Sequence, residues 1–155
     1  MSDTEVIIEP GKQDVVITRV FDAPREVVFQ TATDPDLVPK WWGPRSTTTE
    51  VDKMDVRPGG QWRFVHRSDG QEFAFHGVYH DVVPNESVVQ TTEFELAPGH
   101  VALETLTLED VDGKTRYVAR ALYDTVESRD AAVQAGMEGG LREALDRLAE
   151  LVERP

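Results

Sequence analysis

Apolar and polar residues alternate with a period of two through the middle of the chain, from Thr48 to Tyr123. Since successive side chains of a strand point to opposite faces, this alternation predicts strands with one buried face. Turn-forming pairs such as Asp112-Gly113 divide the region into six expected strands: Thr48–Met54, Gln61–Arg67, Glu72–Val83, Ser87–Glu95, Val101–Glu109 and Thr115–Tyr123. The short connections favour antiparallel pairing of consecutive strands.

An earlier segment rich in β-branched residues, Val15–Phe21, predicts one more strand. We expect it to return to the sheet beside the strand that begins at Thr115. The pattern therefore predicts a curved, seven-stranded antiparallel sheet.

The last part of the chain has the period of a helix instead. We expect Ser128 to cap one long helix that runs to about Val152, with Arg129 and Arg147 on its polar faces. Its apolar stripe consists of Val133, Met137, Leu141, Ala144, Leu145, Leu148, Leu151 and Val152. Docking this stripe on the sheet buries both apolar surfaces and gives an α+β fold.

Two short helices are expected between the first strand and the second. Asp22 is placed to cap the first of them, with Pro24 in its opening turn. The second begins near Asp34-Pro35 and ends near Pro39. No linker or repeat divides the chain, so we expect residues 1–155 to form a single domain with a polar N-terminal tail over residues 1–14.

Composition removes several classes of function. The chain has no cysteine, which excludes disulfides, thiolate nucleophiles and zinc–thiolate sites. Its formal net charge of −13 repels phosphate backbones, so we expect no nucleic-acid partner. We expect no membrane insertion, no secretory signal and no cofactor, and we predict a cytoplasmic protein. Monomer and homodimer both stay open.

Alternation also predicts which side chains face the inside of the sheet. Arginines occupy one face of several strands, and we take that face to be the solvated one. The other face is aromatic and is expected to bind an apolar ligand against the final helix. The candidate ligand-binding residues are Trp41, Trp42, Trp62, Phe64, His66, Phe75, Tyr79, Thr92, Glu104, Tyr117, Met137, Gly140 and Leu141.

Some of these residues allow a second interpretation. His66 and Glu104 could act as an acid–base pair across a pocket, or each could be a hydrogen-bonded polar residue at its rim. Trp41 and Trp42 could stack on a ligand or fill the end of the core. Three glycines, Gly136, Gly139 and Gly140, are expected inside the final helix, where Gly140 leaves room either for close packing or for a ligand.

Several segments together resemble one known family. They are VFDAPREVVF at 20–29, WWGP at 41–44, VRPGGQWRF at 56–64, GVY at 77–79 with VVP at 82–84, and GMEGGL at 136–141 followed by DRL at 146–148. These segments look like the AHSA1 family, named for the activator of the Hsp90 ATPase, within the SRPBCC (START-like, Bet v 1-like) superfamily. The resemblance implies a helix-grip fold with a cavity between sheet and final helix.

Three functions follow from these observations. The first is binding of a small apolar or aromatic molecule in that cavity, with no catalytic residue assigned and no metal site. The second is a cyclase- or hydrolase-type enzyme that uses His66 or Glu104 as its base. The third is a protein-interaction module for an Hsp90-type chaperone. The resemblance supports the third weakly, because the additional N-terminal domain of the eukaryotic co-chaperone has no counterpart here.

Overall fold

The computed structural model describes residues 3–153 and shows an α+β fold in which one curved antiparallel sheet is covered by helices. Within these residues the sheet has eight strands in the order β1-β2-β8-β7-β6-β5-β4-β3. The strands are β1 Glu5–Ile7, β2 Asp14–Phe21, β3 Thr48–Met54, β4 Gln61–Ser68, β5 Gln71–Val83, β6 Ser87–Phe94, β7 Val101–Val111 and β8 Lys114–Leu122. The helices are α1 Arg25–Thr33, a 3-10 turn at Val38–Lys40, α2 Val126–Gln134 and α3 Met137–Val152.

The predicted meander is confirmed, and so is the pairing of the first long strand with the last. Strands β3 to β8 pair consecutively, and β2 pairs with β8 through contacts such as Ile17 with Ala119. Two connections are type I′ hairpin turns, because Asp69-Gly70 and Asp112-Gly113 both have positive φ at each residue. Bulges near Tyr79 and Val51 add curvature to the sheet.

The count of seven strands was one too few. Residues 5–7, which we expected in a polar tail, form the edge strand β1 against β2. Thr4 is buried, and the side chains of Val6 and Ile8 pack against the core. The segment was missed because three residues are too short to show a period.

The closing helix is also two helices rather than one. Gly136 has φ 93°, a left-handed conformation that ends the helical path and separates α2 from α3. Helix α2 begins after Thr125, whose hydroxyl accepts a bond from the Ser128 backbone nitrogen at 3.0 Å, so Ser128 is not the cap.

Three further expectations about helix surfaces and ends were wrong. Arg129 is 2% exposed and donates to the backbone oxygens of Glu9, between β1 and β2, and of Asp14 in β2, which fastens α2 to the N-terminal part of the chain. Asp22 does not cap α1, whose N-cap residue is Pro24. The second short helix ends near Pro39 as expected, but it begins at Val38 and not near Asp34-Pro35.

The outer face of the sheet is the charged one, as the arginine pattern predicts. Arg63 forms a two-pronged ion pair with Glu95, and Arg120 pairs with Asp14. In the part of the chain that is described, no helix is both long and apolar enough to cross a membrane.

Candidate functional site

The inner face of the sheet is closed at one end and partly open in its middle. At the closed end, the second half of α3 is packed tightly, and Leu145 and Leu148 are fully buried beside Phe21. In the middle, side chains that face α3 keep accessible surface. The backbone of α3 lies closer to α1 and α2 than to the strands.

We refer to the space between the middle of the inner face and the first half of α3 as the chamber. The side chains that define it are all half-buried and come from four strands and one helix. They are Phe75, Gln90, Thr92, Glu104, Leu106, Tyr117, Ala119, Met137 and Leu141.

One wall of the chamber is a cluster of aromatic rings. The Trp42 ring stands edge-on to Phe64 and to Phe75, with 5.4 Å between ring centroids in both pairs. Phe75 stacks on Phe94 at 4.9 Å, which carries the wall across β5 to β6. Such contacts hold rings in fixed positions and leave an apolar surface of fixed shape.

Glu104 is the polar centre of the chamber. Its carboxyl oxygen Oε1 accepts bonds from the Thr92 hydroxyl and from Gln90 Nε2, the latter at 3.4 Å. Among residues 3–153 no group bonds to the second oxygen, Oε2, and no cation pairs with this carboxyl. Burial raises the pKa of Glu104 above its usual range, and the Thr92 bond offsets only part of that rise.

Three tyrosines stand around this carboxyl. Burial is the main cause of the raised pKa of Tyr79 and Tyr117, and the charge of Glu104 adds to both, after a larger contribution from Asp55 at Tyr79. Burial and the charge of Glu104 also raise the pKa of Tyr123 to about 12. The Tyr123 hydroxyl lies 3.0 Å from Met137 Sδ and so ties the end of β8 to the start of α3. The three hydroxyls therefore stay protonated and neutral at physiological pH.

Arg147 on α3 holds the segment that carries Trp42 through bonds to its backbone. The Arg147 guanidinium donates to the backbone oxygens of Gly43 at 2.9 Å and Pro44 at 3.3 Å, and more distantly to those of Trp42 and Pro39. Burial lowers the pKa of Arg147, which remains far above physiological pH as a guanidinium. This clamp fixes the position of the aromatic wall.

His66 lies beside that clamp and not beside the chamber's carboxyl. Its Nδ1 is 3.3 Å from the Thr49 hydroxyl, and its ring stands edge-on to Trp42 at 5.5 Å. Burial, together with the charge of Arg147, lowers the pKa of His66, so the ring is neutral at physiological pH. A Cβ on Gly43 would come within 2.6 Å of the His66 ring, which explains a glycine there.

The structure does not bring His66 and Glu104 together as a pair. They lie on β4 and β7, with two strands between them, which alone separates them by roughly 14 Å. The strand register adds to that distance, because Gln90 faces both Glu104 and Tyr79 whereas His66 faces Phe73. The pKa of His66 and the pKa of Glu104 also respond to different neighbours, Arg147 for the first and Thr92 for the second.

Three other predicted site residues have structural contacts instead of open surface. Trp41 is in the closed core, and its Nε1 donates to the Thr31 oxygen at 3.1 Å. Trp62 is 3% exposed and bonds through Nε1 to the Thr91 oxygen. Gly140 faces Pro44, whose Cγ would lie 3.6 Å from an added Cβ, and so borders the clamped segment rather than the middle of the sheet.

Four residues of the site are not among the predicted candidates: Gln90, Leu106, Ala119 and Arg147. Gln90 could have been found, because it alternates with Thr92 on the inner face of β6. Arg147 could not, since its position on the helix is typical of a solvent-exposed charge.

Comparisons with known proteins agree with this architecture. A family model described as "Activator of Hsp90 ATPase homolog 1-like protein" matches residues 22–153. The structure is similar to protein Ms6760 from Mycobacterium smegmatis, with 25% identity, 96% of this chain and 95% of that chain covered, and a TM-score of 0.86. It is also similar to protein CV1439 from Chromobacterium violaceum, with 27% identity, coverage of 92% and 99%, and a TM-score of 0.82. A search of curated proteins found no match.

Proposed function

We propose that this chain, which belongs to the family of activator of Hsp90 ATPase homolog 1-like proteins, binds one small apolar or aromatic molecule in the chamber. The observation that carries the proposal is the partial accessibility of inner-face side chains such as Leu106 and Ala119 beneath a docked helix. A well-packed core leaves few voids larger than a water molecule, so accessible apolar surface between two layers is a feature of binding sites.

The lining of the chamber supports a ligand of this chemistry. Aromatic rings form one wall, while a small polar group at Glu104 is available to orient the bound molecule. This mixture of apolar surface and few polar groups is typical of small-molecule sites. The net charge of −13 disfavours nucleic acid, and we propose a small molecule in the cytoplasm as the partner.

The family name refers to activation of the Hsp90 ATPase, and we do not transfer that property to this chain. Family and fold allow many functions, which depend on the groups of the particular site. The enzyme alternative loses the acid–base pair of His66 and Glu104, because these two residues are far apart in the sheet. Binding therefore remains the function with the most support.

A volume-filling substitution tests the proposal. Ala119→Leu places a larger side chain inside the chamber, whereas Ala74→Leu adds the same volume on the outer face of β5. Titration with the neutral fluorescent probe N-phenyl-1-naphthylamine should give saturable one-to-one binding to the wild type and to Ala74→Leu. Binding should be lost in Ala119→Leu with no fall in melting temperature. Equal binding by both variants would reject the chamber as the site.

A further inference from the structure

We infer that Glu104 presents a neutral carboxylic acid to the chamber and donates the hydrogen on Oε2 to a carbonyl oxygen of the bound molecule. The ligand class would then be aromatic or apolar ketones, quinones and related carbonyl compounds. This inference rests on the proposed function, because it names the chemistry of the molecule that the chamber takes.

The bonding around Glu104 supports this assignment. Both protein donors, Thr92 Oγ1 and Gln90 Nε2, reach the same oxygen, Oε1. An oxygen that accepts two bonds acts as the carbonyl oxygen of the acid, which leaves Oε2 to carry the proton. In the described part of the chain no group bonds to Oε2, and this oxygen is not fully buried. It therefore faces accessible space.

The charges around the carboxyl also favour the neutral form. The titratable groups that face it are Tyr79 on β5, Tyr117 on β8 and Tyr123 at the end of β8, and all three are neutral at physiological pH. Arg129 on α2, whose charge acts on Tyr123, is already bonded to backbone oxygens and to Asp130. An enclosed carboxylate without a cation is costly, so the group takes a proton instead.

A neutral acid in an apolar site is a strong donor to a carbonyl oxygen. It remains charge-free while the site is empty, and it needs no rearrangement of water when the ligand enters. The aromatic wall formed by Phe75 and Phe94 would support the flat part of such a ligand while Glu104 fixes its polar end. An alkylammonium ligand is the competing choice, since it would pair with an ionised Glu104.

Three probes of nearly the same shape distinguish these alternatives: 2-acetylnaphthalene, 2-isopropylnaphthalene and 1-(2-naphthyl)ethylamine. For the wild type, the ratio of ketone affinity to hydrocarbon affinity should fall as pH rises through the pKa of Glu104. Glu104→Leu should lower that ratio by about 3- to 10-fold, the value of one hydrogen bond, while the hydrocarbon still binds.

Glu104→Gln gives the sharpest contrast. Its amide oxygen can accept from Thr92 and Gln90 while its NH2 group donates to the ketone, so ketone binding should persist and become independent of pH. Loss of ketone preference in Glu104→Gln, or an amine preference that depends on Glu104, would overturn the inference.

A measurement on the wild type alone covers the case in which a variant fails to fold. The infrared carbonyl stretch of bound 2-acetylnaphthalene, labelled with 13C, should lie at lower wavenumber at pH 5 than at pH 9. No pH-dependent shift would contradict a donating Glu104. If 2-isopropylnaphthalene does not bind the wild type at all, the proposed function itself fails. If it binds but the ketone ratio is unchanged in Glu104→Leu, only the carbonyl inference fails.

Discussion

The clamp between Arg147 and the segment that carries Trp42 makes a quantitative prediction. Arg147→Met keeps a long apolar side chain but removes the guanidinium bonds to the backbone oxygens of Pro39, Trp42, Gly43 and Pro44, of which Trp42 and Pro44 keep bonds from Thr49 and Thr47. One of these bonds is short, at 2.9 Å to Gly43, whereas those to Pro44 and Trp42 are long, at 3.3 and 3.5 Å. A hydrogen bond from a charged donor contributes about 1.5–3 kcal/mol, and long bonds contribute little.

Folding of the wild type also removes the guanidinium from water, which costs free energy. The Arg147→Met variant avoids this cost, so the loss of stability is smaller than the sum of the lost hydrogen bonds. We therefore expect Arg147→Met to lower the free energy of unfolding by about 2 kcal/mol. For a chain of this size that corresponds to a fall in melting temperature of about 4–8 °C. The affinity for an aromatic probe should fall as well, because the Trp42 ring loses its fixed position in the wall.

Arg120→Met is the matched control, since Arg120 forms an ion pair with Asp14 on the outer face and its side chain is 52% exposed. Exposed ion pairs contribute at most about 1 kcal/mol. Chemical denaturation of both variants, followed by tryptophan fluorescence, gives the comparison. An equal loss of stability in the two variants would refute the reasoning about the clamp.

Three further predictions concern local backbone strain and charge. Gly140→Ala should raise the melting temperature, because the added Cβ makes an ordinary 3.6 Å contact and alanine gains about 1 kcal/mol in a helix. Gly136→Ala should lower the melting temperature because alanine is strained at φ 93°. Gly43→Ala should lower it further, since its Cβ would also meet the His66 ring. Calorimetry gives the two melting temperatures, and a larger fall for Gly136→Ala than for Gly43→Ala would refute the argument. The ion pair with Arg63 lowers the pKa of Glu95 to about 2, so it should stabilise the fold by about 1 kcal/mol above pH 4.5 and lose this effect as pH falls towards 2. In urea titrations Glu95→Gln should therefore be less stable than the wild type at pH 7 and equally stable at pH 2.

The sheet could be predicted from the sequence because period-two alternation and turn residues are local signals. All six strands of the meander lie within two residues of the expected bounds, and the inward orientation of Phe64 and Glu104 follows from the same alternation. The family resemblance is confirmed over residues 22–153.

What could not be predicted depends on contacts between distant parts of the chain. Arg129 and Arg147 look like exposed helix charges in the sequence, yet both bond to backbone oxygens about 100 residues away. Gly136 lies in a segment whose apolar pattern is that of one continuous helix, and only its positive φ in the structure shows that the helix is broken there. The same reason explains His66, whose face was expected correctly but whose distance from Glu104 depends on the order and register of four strands.

The central claim is that a small molecule enters between the sheet and the first half of α3. A titration of the protein, labelled with 13C at its methyl groups, with 2-acetylnaphthalene tests it directly by NMR. We expect saturable shifts for the methyl groups of Leu106, Met137 and Leu141, which line the chamber, and none for Leu96 and Leu103, which are 67% and 40% exposed elsewhere. Shifts confined to Leu96 and Leu103, or absence of saturation at the chamber methyl groups, would contradict the account.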